Sequence, residues 1–242
     1  MNETETSIVV PEIHTIDEIF EKTLFDLRLT MSQRKFRKVI EDIRNKEVHF
    51  YKLDNFWKLK EIKVRCMMKI VKRKVENDGG KYKSTEYWMN RVGKILEEWQ
   101  DKLDILEEKE EIDLNFTTNP SNHHLKDQIE VLNELLLQHL YNHAIISKGE
   151  HHIGDTSGYL TFGIKLIMSL VKQNTIRSSN EVQLNGKTLQ VAQNFYYFMS
   201  SILIADRNFN TAIQYIEFGL QLGLRELCVR MEGEDFNQTT EE

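Results

Sequence analysis

Little in this chain can break a helix, and little can staple one fold segment to another. Its 242 residues include two prolines, eleven glycines and two cysteines. So few breakers leave little room for the tight turns of an all-β fold, and long helices suit the composition better. Cys66 and Cys228 lie far apart with no CxxC spacing, which fits a reduced intracellular chain. No apolar run approaches the length of about 18 residues that reads as a membrane span. Met1 to Ile13 is acidic and polar, without the basic start and apolar core of a signal peptide. The triplets Asn115-Phe-Thr117 and Asn237-Gln-Thr239 therefore read as chance matches to a glycosylation acceptor. Phosphate-cradling loops are missing too. Asn77-Asp-Gly-Gly80 lacks the Gly-Lys-Ser/Thr ending, and Gly154 to Gly163 follows no strand.

What is present is a 40% hydrophobic, 29% charged chain of formal net charge −6, the composition of a globular protein with a real core. Residues 1–13 and 232–242 read as loose ends, the second an acidic, disordered tail. Between them, apolar residues recur at spacings of three and four. Ile16, Ile19, Phe20, Leu24 and Leu27 share one face of a first helix, with Thr15 as its cap ahead of Glu18. Further helices are expected over 33–45, 54–75, 84–111, 126–148, 156–172, 188–205 and 209–230. Residues 115–124 and 174–187 read as polar loops. The expected organisation is N-terminal helical hairpins over 14–113 and a repeat region over 125–231.

Charge is unevenly spread. Between Arg34 and Lys83, 17 lysines and arginines stand against 7 acidic residues. Between Glu86 and Glu134 the ratio is 5 to 13. The basic stretch 54–75 and the acidic stretch 84–111 are joined by a short turn, so an antiparallel pair with complementary charge is expected. The alternative is a basic surface for an acidic partner, a tubulin tail or a nucleic acid, with Lys69, Lys72, Arg73 and Lys74 at its centre. Tyr51, Phe56 and Trp57 could stack on bases, but the whole chain is acidic and these aromatics fall at core spacing. Nucleic acid is not expected to be the main ligand.

The C-terminal third carries the most specific pattern. Tyr196-x-x-Met199-Ser200-x-x-Leu203 is followed by Phe209-x-x-Ala212-x-x-x-Ile216-x-x-Gly219. Upstream, Leu140-x-x-His143-Ala144-x-x-Ser147 is followed by Ile153-x-x-Thr156-x-x-x-Leu160-x-x-Gly163 at a constant offset of 56. Tyr215 to Gly219 and Tyr159 to Gly163 agree at three of five residues. Small residues belong where two helices cross closely, and large ones fill the gaps between. A third trace, Phe36-x-x-Val39-x-x-x-Ile43, has the second-helix spacing. This arrangement resembles the tetratricopeptide repeat, moderately over 134–230 and loosely over 14–46. The helix-ending proline of the family is missing here. The repeat spans about 34 residues, so an insertion containing the loop 174–187 separates the two clear copies.

The resemblance implies an all-α fold of antiparallel hairpins stacked as a short solenoid, and a scaffold that binds proteins. In the family the exposed side of each first helix lines a concave groove. Carried over, that groove is Asn194, Tyr197, Phe198, Ser201 and Ile204 from one copy, and Gln138, Tyr141, Asn142, Ile145 and Lys148 from the other. It is mostly aromatic and aliphatic, suiting an apolar helix better than a charged peptide tail. Tyr197, Phe198 and Ile204 should face away from the crossing of Ser200, Ala212 and Gly219. By analogy with other degenerate-repeat members, a cytoplasmic, cytoskeletal or ciliary assembly is the expected setting.

Chemistry finds little support. His139 and His143 are four apart on one helix, and His151-His152 lies near Glu150 and Asp155. Either could touch a metal, but the zinc-protease pattern needs Glu after the first His, where Leu140 stands. Cys66 lies in an apolar stretch and reads as a buried small hydrophobe. No metal, cofactor, nucleophile or acid–base pair is expected, and the chain reads as non-enzymatic.

Overall fold

A computed structural model describes the backbone of residues 15–78, 82–110, 120–173 and 184–238, and the side chains of 15–77, 85–106, 125–172 and 184–223. The side chain of Cys228 and most of the two polar loops lie outside the described residues. Among the described residues the fold is all-α, with eight α-helices and no strand. They are α1 (Ile16–Ser32), α2 (Phe36–Phe50), α3 (Trp57–Asp78), α4 (Tyr82–Glu110), α5 (Pro120–Gly149), α6 (Ile153–Gln173), α7 (Gly186–Ala205) and α8 (Phe209–Gln238), with a 3-10 turn at Asp54–Phe56 before α3.

Local chemistry accounts for several boundaries. Thr15 caps α1 in a reciprocal box: its Oγ1 accepts from the Glu18 backbone N–H at 3.2 Å, and Glu18 Oε2 accepts from the Thr15 N–H at 2.9 Å. Asn185 caps α7, its side-chain oxygen accepting from the backbones of Lys187 and Thr188. Several helices outrun the sequence-based limits: α2 ends at Phe50 rather than 45, and α6 begins at Ile153 rather than 156. α5 begins at Pro120 rather than 126, because proline at the first helical position surrenders an N–H that has no partner there anyway. α8 continues to Gln238, into the segment expected to be a loose acidic tail. One glycine, Gly233, in an otherwise helix-compatible run does not stop a helix already nucleated by its packed first half.

The chain forms two compact units, Met1–Cys66 and Met67–Glu242, so their boundary falls within α3. In the first unit α1 pairs with α2. Phe20, Leu24, Leu27, Val39 and Ile43 are buried, and the rings of Phe20 and Phe50 meet edge to face at 5.1 Å. In the second, α4 pairs with α5, α5 with α6, α7 with both α5 and α6, and α8 with α7. One core runs through this set: Leu137 and Ala144 from α5, Leu160, Ile164, Ile167 and Leu170 from α6, and Val191, Ala192, Phe195, Tyr196, Met199 and Ile202 from α7. Helices α3 and α4 meet in a smaller cluster of Val71 and Met89 with Ile146 of α5, bordered by Val75 and Trp88.

One local feature went unseen in the sequence. The turns α1–α2, α5–α6 and α7–α8 are the same turn, three residues long. In each, the middle residue has left-handed backbone: Arg34 (φ 63°), His151 (φ 63°) and Arg207 (φ 60°). Each middle N–H donates three residues back, to Met31, Lys148 and Ile204, at 2.9, 3.1 and 3.0 Å. Each following N–H donates five residues back, to Thr30, Ser147 and Leu203, at 3.4, 2.9 and 2.8 Å. This is the Schellman pairing that satisfies the last carbonyls of a helix. Five residues beyond each left-handed residue stand Val39, Thr156 and Ala212, all buried. The segment 36–43 therefore shares the turn and this one buried position with the segments 153–160 and 209–216.

Candidate functional site

The residues expected to line a groove separate into two environments. On α7, Asn194, Tyr197, Ser201 and Ile204 follow spacings of three, four and three, and all four are exposed. Tyr197 keeps 39% and Ile204 46% of its surface open. The α5 members are largely covered: Asn142 is buried, and Gln138, Tyr141 and Ile145 are half-buried. Gln138 Nε2 donates to Asn142 Oδ1 at 3.2 Å, so two of the polar members satisfy each other. The open strip therefore belongs to α7, and Lys148 is the exposed member on α5.

Tyr141, Phe198 and Lys148 do come together. The Tyr141 ring sits edge to face with Phe195 at 5.5 Å and with Phe198 at 5.8 Å. Lys148 Nζ lies 4.8 Å from the centre of the Phe198 ring, a cation–π distance. Phe198 is half-buried against the main core. Burial holds the Tyr141 phenol above its usual pKa, so it stays a neutral hydrogen-bond group. Ser201 Oγ donates to the Phe198 carbonyl and Ser200 Oγ to the Tyr197 carbonyl, both at 2.7 Å, so both hydroxyl protons are used within α7.

Tyr197 is placed differently from expectation. Its ring lies against Gly219 of α8, with Cε1 3.1 Å from where a Cβ on that glycine would be. One edge of Tyr197 thus sits in the α7–α8 crossing rather than facing away from it, and Tyr196, one residue earlier, is buried. Gln193 spans the same crossing, its Nε2 donating to the Gly219 carbonyl at 3.2 Å. The sequence placed Gly219 at a close crossing but could not say which of two adjacent tyrosines would cover it.

The basic residues of α3 divide similarly. Lys69 and Lys72 are exposed, while Arg73 and Lys74 are half-buried. Several basic side chains of the segment already face carboxylates: Lys63 meets Glu47 at 2.6 Å, Arg65 meets Glu61 at 2.7 Å, Lys58 meets Glu21 at 3.4 Å, and Lys72 reaches Glu76 at 3.9 Å. Tyr51 is exposed, whereas Phe56 and Trp57 are half-buried.

Among the groups that could do chemistry, Cys66 is fully buried, and burial pushes its thiol up to about 12, leaving no thiolate at neutral pH. His139 and His143 are in contact, ring centres 4.6 Å apart and nearly perpendicular. His143 stacks on Tyr159 of α6 at 4.8 Å. His139 Nε2 lies 3.3 Å from the Cβ position of Gly93 on α4. Both Nδ1 atoms are buried without a hydrogen-bond partner. Burial, and then the neighbouring His143, hold His139 down to about 3; burial also lowers His143. At the α5–α6 turn, His152 Nδ1 lies 3.8 Å from Asp155 Oδ2, both side chains exposed. No group of three or more His, Cys, Asp or Glu among the described residues is arranged to hold a metal. No helix among them is long and apolar enough to cross a membrane.

No family model, curated protein or solved structure matches the chain.

Proposed function

We propose that this chain is a non-enzymatic scaffold that holds an apolar helix of a partner protein along the open strip of α7, as a tetratricopeptide-like repeat would. The observation that carries the reading is the helix pairing of the second unit. α5 and α7 each pair with the helix that follows, and α7 also packs on both members of the preceding hairpin. A first helix of a stacked repeat makes that set of contacts. The recurring Schellman turn adds a second support, since one local geometry closes each hairpin. The exposed strip offers a tyrosine edge and an isoleucine at helical spacing, flanked by the small polar Asn194 and Ser201, which suits helix-in-groove recognition. The described titratable groups favour binding over chemistry, because the Cys66 thiol and the His139–His143 pair are closed off by burial. A cytoplasmic assembly, cytoskeletal or ciliary, remains the setting that the repeat resemblance proposes.

The test compares two surfaces on the intact chain. Partners retained from native extract would be quantified by mass spectrometry for wild type, for an Ile204→Asp, Ser201→Arg variant, and for a variant with Lys69, Lys72, Arg73 and Lys74 changed to Glu. Loss of the same partner set in the α7 variant, with circular dichroism unchanged, supports the scaffold reading. Loss only in the α3 variant shifts the function to an acidic partner of the basic segment, the second reading, which the exposure of Lys69 and Lys72 keeps in view.

A further inference from the structure

Two imidazoles on α5 occupy a place that suits their neutral form alone. His139 and His143 stand one turn apart, ring centres 4.6 Å from each other and nearly perpendicular. Both Nδ1 atoms are buried, and neither has a hydrogen-bond partner. A neutral imidazole divides donor and acceptor between its nitrogens, whereas an imidazolium donates from both. A proton taken up by either ring therefore leaves a cationic N–H buried at Nδ1 with nothing to accept it. The helices packed around the pair supply no counter-charge. α4 presents Gly93, whose Cβ position lies 3.3 Å from His139 Nε2, and its neighbouring charges, Arg91, Lys94, Glu97 and Glu98, are exposed. α6 presents the Tyr159 ring, stacked on His143 at 4.8 Å, while its Asp155 and Lys165 are exposed. α7 has Lys187 as its charged residue, also exposed. On α5 itself Glu130 and Lys148 are exposed, and the buried Glu134 stands five residues before His139. The charge that acts on His139 is that of His143, of like sign.

The two helices that touch the pair are held unequally. α6 is gripped by α5 and by α7, whose Phe195 ring fills the space over Gly163. α4, among the described residues, pairs with α5 and meets α3 in the small cluster of Val71 and Met89 with Ile146. At Gly93 it has no side chain to interlock with its neighbour, and the His139 ring lies there instead. α4 buries one stripe, Met89, Val92, Leu96, Trp99 and Leu103, at spacings of three, four, three and four, so it seats or leaves as a single face. We propose that the His139–His143 pair is an acid-operated latch: neutral, it lets α4 seat on α5, and in mild acid proton uptake favours a state in which α4 has lifted while α6 and α7 stay in place. Lifting α4 admits water to His139, so its pKa returns towards the ordinary value of about 6.5. Seated, it is held down to about 3 by burial and then by His143, and burial lowers His143 as well. The seated form thus binds fewer protons, and its preference is full above about pH 6.5 and declines as the pH falls. At pH 5.5 the lifted form gains about tenfold from His139, and up to about 100-fold if His143 is hydrated with it.

The latch acts in the purified chain, independent of any partner on the α7 strip. Native-state hydrogen exchange on the full-length chain reads it, at pH 7.5 and pH 5.5, each with and without urea too dilute to unfold the chain, after correction for the intrinsic pH dependence of exchange. The amides of α4 should be less protected than those of α6 and α7 at both pH values. Their opening should become about tenfold or more easier at pH 5.5 and should respond to urea more weakly than that of α6 and α7, because a lifted helix exposes less surface than an unfolded unit. His139→Leu should remove most of the pH dependence of α4, and His139→Gln asks the same question if leucine disturbs folding. Protection of α4 that is equal at the two pH values overturns the proposal. So does exchange of α4 with the same protection and the same urea dependence as α6 and α7, which would mean that it opens only when the whole unit unfolds. A pH effect on α4 that survives in the folded His139 variants overturns it as well.

Discussion

His139 and His143 make the stability of the second unit depend on acid. An imidazole held below its unfolded pKa binds fewer protons when folded, so stability is full above that unfolded value, about 6.5, and falls as the pH drops below it. The decline continues towards about 3, where His139 itself takes a proton in the folded state. Its slope is up to about 1.4 kcal/mol per pH unit for each imidazole. Urea denaturation at pH 7 and pH 5 should show a large loss for wild type and a much smaller one for His139→Gln. An equal loss in both would place the acid sensitivity elsewhere. Arg34, His151 and Arg207 bear a cost of another kind, left-handed backbone on residues with a Cβ, which disfavours that region by about 1–2 kcal/mol. Arg207→Gly should raise stability by about 1 kcal/mol, less the extra chain entropy that glycine loses on folding. A lowered melting temperature for this variant would show that the arginine side chain makes a compensating contact.

At the scale of the element, Gly163 and Phe195 fix how closely α6 and α7 approach. A methyl group on Gly163 would enter the Phe195 ring, and that ring is fully buried in the main core with no free direction in which to move. Gly163→Ala should cost about 1–3 kcal/mol, the usual range for overpacking, and should cost less in a Phe195→Leu background. Additive losses in that double-mutant cycle would argue against the crossing described here. Asn185→Ala removes the oxygen that caps α7 and should cost about 1 kcal/mol by thermal melt. Most elements were legible in the sequence, because Leu24, Val92, Leu96 and Leu103 announce a buried face through spacing alone, and Thr15 with Glu18 announces a cap. The shared turn was not legible. Gln33-Arg-Lys35, Glu150-His-His152 and Asp206-Arg-Asn208 contain no glycine, and their geometry is set by the preceding helix carbonyls rather than by residue type. The candidate strip was half legible. Periodicity places Tyr141 and Tyr197 on comparable faces, but it cannot tell that α7 would cover the one while the other leans on Gly219 and keeps 39% of its surface open.

Over the whole molecule, charge and apolar surface point in different directions. The basic segment answers part of its charge within the chain, through Glu21, Glu47, Glu61 and Glu76, while Phe209, Ile213 and Leu220 of α8 are exposed apolar side chains. Fluorescence anisotropy with duplex DNA and single-stranded RNA at physiological salt should therefore find no affinity tighter than about micromolar, the range of non-specific contacts. Tight binding abolished by Lys69→Glu and Lys72→Glu would reverse that expectation. The three short turns also bear on how the molecule comes into being. Each hairpin joins its helices across three residues, so the entropy lost in bringing the two ends together is small. Contacts that are near in sequence form early, and helical proteins dominated by them fold on the order of microseconds to milliseconds. Each of the three hairpins is a local site at which folding can start. The α1–α2 pair can close while α5 is still being synthesised, and a fault introduced into one hairpin should slow that hairpin before it slows the others.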